Sequence, residues 1–295
     1  MHARVVSVVS VGGVDRAHIG TQRKLARVVF ASSSSSRAHS PHRAGYIDDA
    51  ATTTTGTMSV RLPPLTTLEG VLFDLDGTLC DSDPVHFEVF DDMFTAHGVC
   101  APTGLTHDFF AAHIAGRANV DIFTEAFYPN LTPAEREALA EDKERAFREK
   151  LLSRELPKAN GLDALLRALD MNGVKTCVVT NAPRANAEAM LARLGLREYF
   201  GVDRLVIGSE CARAKPNPDP YLEGLKRIGL TSSEKCVAFE DSPAGARAAV
   251  AANIPVVGIL SSQNAEALMS AGCALCVKDF ATPELFDAFG AAVPK

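Results

Sequence analysis

From about Leu65 the chain alternates between short apolar runs and helical patterns, and this alternation restricts the fold more than any other feature. The first run is Val71-Leu72-Phe73, which ends in Asp-x-Asp-Gly. Four more follow, at Val174–Thr180, Leu205–Gly208, Cys236–Phe239 and Pro255–Leu260. Between them lie helical patterns over Leu162–Leu169, Ala185–Leu194, Pro220–Ile228 and Ala244–Ala252. Short, almost wholly apolar strands separated by helices predict a parallel sheet covered on both faces. The expected class is α/β, with a Rossmann-like three-layer core. In such sheets ligands bind beyond the C-terminal ends of the strands, so the polar residues there are the ones to read.

One stretch breaks the alternation. From Pro84 to Arg154 the pattern is helical, over Val85–His97, Val120–Phe127 and Pro133–Leu152, with no convincing strand. This predicts an all-helical cap domain (83–154) inserted into a core made of 66–82 and 155–295. A cap over a strand-end site is its natural role; a helical decoration packed on the sheet is the alternative. The charged run Glu135–Lys150 reads as a solvated helix face.

Residues 1–62 carry a Ser run (Ser32–Ser36), a Thr run (Thr52–Thr55) and scattered Arg. That composition predicts a disordered extension outside the fold. It fits a transit peptide, a plain tail, or an extension ahead of a start at Met58. Residues 1–60 hold seven Lys/Arg and three Asp, or +4, so the remaining 235 residues carry −10 of the overall −6. An acidic body argues against nucleic acid as a partner. No run of about 18 apolar residues is present, so no membrane span is expected. The seven cysteines (80, 100, 177, 211, 236, 273 and 276) are odd in number and scattered in apolar segments. They suit a reducing compartment better than a disulfide framework. Cys273 and Cys276 form a lone C-x-x-C, read as part of a late core segment rather than as a zinc site.

Four strand ends carry polar groups suited to one task. The first is Asp74-Leu75-Asp76-Gly77-Thr78, whose two acids share a face on an ideal strand. The second is Thr180-Asn181, a hydroxyl and an amide. The third is Lys215, in a loop stiffened by Pro216 and Pro218. The fourth is Glu240-Asp241, two more carboxylates, which also stand before a helix starting near Pro243 and could cap it.

These motifs, in this order over residues 68–260, resemble the haloacid dehalogenase superfamily of phosphohydrolases. A narrower resemblance, to plant-type broad-range sugar-phosphate phosphatases, rests on four segments. These are Leu79-Cys80-Asp81-Ser82-Asp83-Pro84, His113-Ile114-Ala115-Gly116-Arg117, Thr180-Asn181-Ala182-Pro183 and Ile207-Gly208-Ser209-Glu210-Cys211. The resemblance implies a phosphoric monoester hydrolase acting on a small-molecule phosphate ester. Four carboxylates would repel a phosphate unless a hard divalent cation sat among them, and oxygen ligands suit Mg²⁺. The implied metal shell is Asp74, the backbone carbonyl of Asp76, and Asp241, with Glu240 in or beside it. Asp74 is the implied nucleophile and Asp76 the acid and base. Thr180 and Asn181 would bind phosphoryl oxygens, and Lys215 would neutralise charge on the phosphate and on Asp74. Gly116 and Arg117 would reach the substrate from a cap loop.

An acid at the position of Asp76 favours transfer to or from oxygen, since leaving-group protonation is then needed. A sugar-phosphate mutase shares both aspartates and stays open as an alternative. So does a non-catalytic regulatory protein on the same fold. His86 is either a helper in proton transfer or a polar residue on a hinge helix. A monomer is expected. The plant-type resemblance places a plastid ahead of a mitochondrion, with the cytosol expected if translation starts at Met58.

Overall fold

The computed structural model describes residues 62–290, apart from 100–103, 116, 118, 125, 126 and 129. The expected N-terminal extension therefore lies, but for Leu62, outside the described residues, as does Gly116.

Six strands form one sheet: β1 (Gly70–Phe73), β2 (Lys175–Thr180), β3 (Leu205–Ile207), β4 (Cys236–Glu240), β5 (Val256–Ile259) and β6 (Leu275–Val277). All pairings are parallel, in the order β3-β2-β1-β4-β5-β6. The helices are α1 (Asp83–Ala96), α2 (His107–His113), α3 (Asn119–Ile122), α4 (Pro133–Ser153), α5 (Leu162–Met171), α6 (Arg184–Arg193), α7 (Arg197–Phe200), α8 (Asp219–Arg227), α9 (Pro243–Ala251), α10 (Ala265–Ser270) and α11 (Pro283–Ala288). None of them is long and apolar enough to cross a membrane.

Strand side chains alternate between two apolar layers, as a two-residue period requires. Val71, Phe73, Val178 and Phe239 join Leu165 of α5, Met190 of α6 and Leu285 of α11 on one face. Leu72, Val179, Ala238 and Val256 join Tyr221 of α8, Ala249 of α9 and Leu268 of α10 on the other. The result is the α/β three-layer, Rossmann-like core expected. Phe73 and Phe239 stack at 5.3 Å beneath the site, with Phe280 edge-on to both. Such contacts add modestly to burial.

Helices α1 to α4 enclose a third apolar cluster, rich in Phe: Phe90, Phe94, Phe110, Phe123, Tyr128 and Leu139. α4 starts on a reciprocal cap. Thr132 Oγ1 accepts the Glu135 N–H at 3.3 Å, and Glu135 Oε2 accepts the Thr132 N–H at 2.8 Å. Pro133 stands at the first turn, where its missing N–H costs nothing. The long α1 and α4 each serve two clusters. Val85 and Val89 of α1, with Phe147 and Leu151 of α4, belong to the core layer, whereas Phe90, Phe94 and Leu139 belong to the aromatic cluster.

Three expectations are corrected. The helix over Val120–Phe127 is only Asn119–Ile122, because Phe123 and Tyr128 turn into the aromatic cluster and tertiary packing outweighs local preference. A sixth strand, β6, lies within the segment holding Cys273 and Cys276; both sulfurs pack over Gly258 of β5. The charged run on α4 is not solvated throughout, since Lys143 and Glu144 are buried.

Candidate active site

The C-terminal ends of β1, β2 and β4 lie side by side at the centre of the sheet. Asp74 extends the ladder by one bond, its N–H donating to Phe239 O at 2.9 Å. Gly77 then turns the chain at φ +71°, and a Cβ there would stand 2.2 Å from Asp241 Oδ2. Both the backbone sign and the close approach call for glycine. Gly245, at the start of α9, likewise makes room for the Glu240 carboxylate, which a Cβ would meet at 1.9 Å.

Lys215 reaches the site from the loop before α8, through a cis Lys215–Pro216 peptide. Its ammonium is fully engaged, donating to Asp74 Oδ1 at 2.7 Å, Val179 O at 2.6 Å and Glu240 Oε1 at 2.6 Å. Asn181 holds the loop from the other side. Its Nδ2 donates to Lys215 O and its Oδ1 accepts from Lys215 N, both at 3.2 Å. The Asn181 amide is thus occupied with the lysine main chain. Thr180 Oγ1 accepts the Ala182 N–H at 2.9 Å, an arrangement that leaves the hydroxyl proton to be donated.

Asp74, Glu240 and Asp241 bring carboxylate oxygens within 4.8 Å of one another, and all three are buried. Glu240 is held on both oxygens, by Lys215 and the Tyr221 hydroxyl (2.7 Å) at Oε1 and by the Ser242 hydroxyl (3.2 Å) at Oε2. Ser262 donates to Asp241 Oδ2. Burial, reinforced by the neighbouring carboxylates, pushes Asp74 and Asp241 well above the usual acid range, with Lys215 opposing it at Asp74. Burial alone would lower Lys215, but Asp74 and Glu240 outweigh it and raise the ammonium. When ionised, the three carboxylates outnumber the one ammonium by two charges in a buried site. An all-oxygen donor set with that deficit fits a hard divalent cation.

The Asp76 carboxylate stands apart from this group. Its Oδ1 accepts from Ser82 Oγ at 2.6 Å and lies 3.3 Å from His86 Nε2. Burial would raise Asp76, yet the bonds from His86 and Ser82, with the charges of His86 and Lys143, hold it below its ordinary value. His86 stacks on Phe147 at 4.2 Å, so α1 and α4 together orient the ring beside Asp76.

A cavity of about 320 Å³ is lined by Asp74, Thr180 and Lys215 at the strand ends and by Phe90, Arg117 and Lys143 from the segment α1 to α4. Its size suits a small ligand. Arg117 is exposed at the cavity wall, where its Nη2 donates to Ala112 O at 3.4 Å. Two groups had no sequence signal marking them for the site. Tyr221 and Ser262 come from elements outside the four motifs, and only the sheet order brings them to the carboxylates.

The family model for haloacid dehalogenase-like hydrolases matches residues 68–253. A phosphorylated carbohydrates phosphatase of Thermotoga maritima is 32% identical over 214 residues, covering 72% of this chain and 94% of that protein. A phosphoglycolate phosphatase of Xanthomonas campestris is 32% identical over 192 residues, covering 64% and 82%. A solved hydrolase of the same superfamily from Entamoeba histolytica superposes with a TM-score of 0.66 at 27% identity, over 76% of this chain and all of that one. A Thermotoga maritima structure assigned as a beta-phosphoglucomutase superposes at 0.55 with 30% identity, over 72% and 94%. Since the matched span contains every strand-end group from Asp74 to Asp241, the chain belongs to the haloacid dehalogenase-like hydrolases.

Proposed function

We propose that this protein is a Mg²⁺-dependent phosphatase of small phosphorylated carbohydrates, working through an aspartyl-phosphate on Asp74. The observation that carries the reading is the Lys215 ammonium, clamped between Asp74 and Glu240 in the wall of the cavity. The named activity of the Thermotoga maritima relative supports the substrate class.

Lys215 holds Asp74 by Oδ1, which leaves Oδ2 to attack phosphorus. The P–O bond to the sugar breaks as the Asp74–P bond forms, and Asp76, which takes up a proton when the anionic substrate binds beside it, gives that proton to the departing sugar oxygen. Asp76 then takes a proton from the water that attacks the aspartyl-phosphate, so that inorganic phosphate leaves and both aspartates are restored. Thr180 donates to a phosphoryl oxygen. Asn181 acts through the Lys215 main chain, setting where the ammonium stands. His86 and Ser82 fix the rotamer of Asp76. Asp74, Asp241 and the Asp76 carbonyl, with Glu240 in or beside the shell, would hold Mg²⁺, which would supply charge neutralisation there.

The likeness to the assigned beta-phosphoglucomutase supports a second reading, a sugar-phosphate mutase on the same two aspartates. One assay separates the two. The full chain is incubated with a panel of sugar phosphates, with Mg²⁺ or with chelator, beside an Asp74→Asn control. Phosphate release that needs Mg²⁺ and disappears in the control is the expected result. Isomerised product that depends on an added bisphosphate, with no phosphate released, would establish the mutase instead.

A further inference from the structure

Lys143 and Glu144 are adjacent on α4, in a run that otherwise reads as solvent-facing, yet they are only 4% and 8% exposed. Both line the cavity that holds Asp74. Glu144 is bonded from three elements. Its Oε1 accepts from Lys143 Nζ at 2.9 Å and from Asn119 Nδ2 of α3 at 2.5 Å, and its Oε2 accepts from Asn186 Nδ2 of α6. Arg148 donates to Asn186 Oδ1 at 2.6 Å, which fixes the way that amide faces. Lys143 also stands 5.2 Å and 5.7 Å from the ring centroids of Phe90 and Phe147. The buried part of that wall therefore presents one cation, one anion and two amides, a set that is polar and charge-balanced in itself, with the exposed Arg117 a further cation at the same cavity.

We infer that the Lys143–Glu144 pair determines specificity, admitting phosphate esters whose far end is an uncharged polyol and rejecting those whose far end is an anion. This rests on the phosphatase reading and names the substrate class within it. Hydroxyl groups both donate and accept, so they match a wall of ammonium, amides and carboxylate at once. A carboxylate at the same place would meet Glu144 in a desolvated pocket, where like charges are costly. Lys143 alone would attract it, but Glu144 masks that charge at 2.9 Å. A buried pair of this kind contributes little to stability by itself, so selection among ligands is a better account of it than folding.

The test uses two ligands of equal chain length, D-glucitol 6-phosphate and 6-phospho-D-gluconate, which differ at the far carbon by CH₂OH against carboxylate. With the full-length enzyme and Mg²⁺, kcat/KM is expected to favour the glucitol ester by about tenfold or more. Glu144→Gln unmasks Lys143 and is expected to shrink that ratio by about tenfold, mainly through a lower KM for the gluconate ester. Lys143→Met/Glu144→Gln is expected to bring the preference back towards wild type. A wild-type ratio near one, or a Glu144→Gln ratio equal to wild type, overturns the inference. The wild-type ratio stands whether or not the variants fold. The same two ligands are titrated calorimetrically into Asp74→Asn. If no ester is hydrolysed, the phosphatase reading fails by itself, and the Kd ratio decides the specificity inference.

Discussion

The two walls of the cavity are built on opposite plans. On the core side, strand ends present acids within a few residues of buried backbone, and every polar atom of Lys215 and Glu240 is tied to a neighbour. On the opposite side, the long helix α4 carries the polar groups on flexible stems, and they are steadied by aromatic rings and two asparagines. The difference separates two tasks. Chemistry on a phosphate monoester needs groups that do not reorganise. Choice of substrate needs groups that a single substitution can alter.

The largest expected contrast comes from Lys215→Met. It leaves Asp74 and Glu240 buried without their common cation. Turnover should fall by about 10³-fold, and metal-free stability by about 3–5 kcal/mol, as read by steady-state rates and by denaturant melts in chelator. If the variant turns over normally, the core wall is not the rigid one. Tyr221→Phe is gentler, removing one neutral bond to Glu240 and leaving a charged acceptor less satisfied. A loss of about 1–3 kcal/mol in stability is expected in the same melts, with full-length packing kept.

Asp83, at the start of α1, offers a pH-dependent comparison. Burial, with the charges of Asp81 and Asp76, lifts its carboxyl from 3.8 to about 6, against the opposing charge of His86. The folded state therefore holds this proton more tightly than the unfolded state does. Stability falls as pH rises from about 4 to about 6, and the loss is complete above that. Asp83→Asn should thus match the wild type near pH 4 and exceed it by about 1–2 kcal/mol at pH 7, in melts with chelator. Equal stabilities at pH 7 would remove the effect. The smallest change is expected from Thr132→Ala, which breaks the cap of α4 on its exposed side. It should cost about 1 kcal/mol in stability and leave kcat/KM unaltered.

The same division explains what was legible in the sequence. Asp74, Thr180, Lys215 and Asp241 each follow an apolar run or sit in a proline-bounded loop, so local pattern pointed to them. The parallel sheet was equally visible in its alternation. What the pattern did not carry was anything set by distant contact. Lys143 and Glu144 sit in a run of acids and bases whose burial depends on α6 and α3 lying against it. Tyr221 lies in a helical pattern and reads as ordinary core; only the β1–β4 neighbourhood turns its hydroxyl to Glu240. The strand β6 is three residues long and half-buried at the sheet edge, too short for a two-residue period to show. The sequence points to Asn181 as a phosphate ligand, whereas its amide bonds to the Lys215 main chain follow from a loop that is 34 residues away.

The division of α1 and α4 between two apolar clusters has a consequence for cooperativity. Val85 and Phe147 pack into the apolar layer shared with the sheet, while Phe90 and Leu139, on the same two helices, hold the aromatic cluster. Lys150 adds a tie between the helices through Asp92 at 2.9 Å. Neither cluster can lose its packing without pulling one end of both helices from the other. The energetic coupling therefore runs along the length of two continuous rods, and calorimetric heating of the enzyme should give a single melting event for both clusters together.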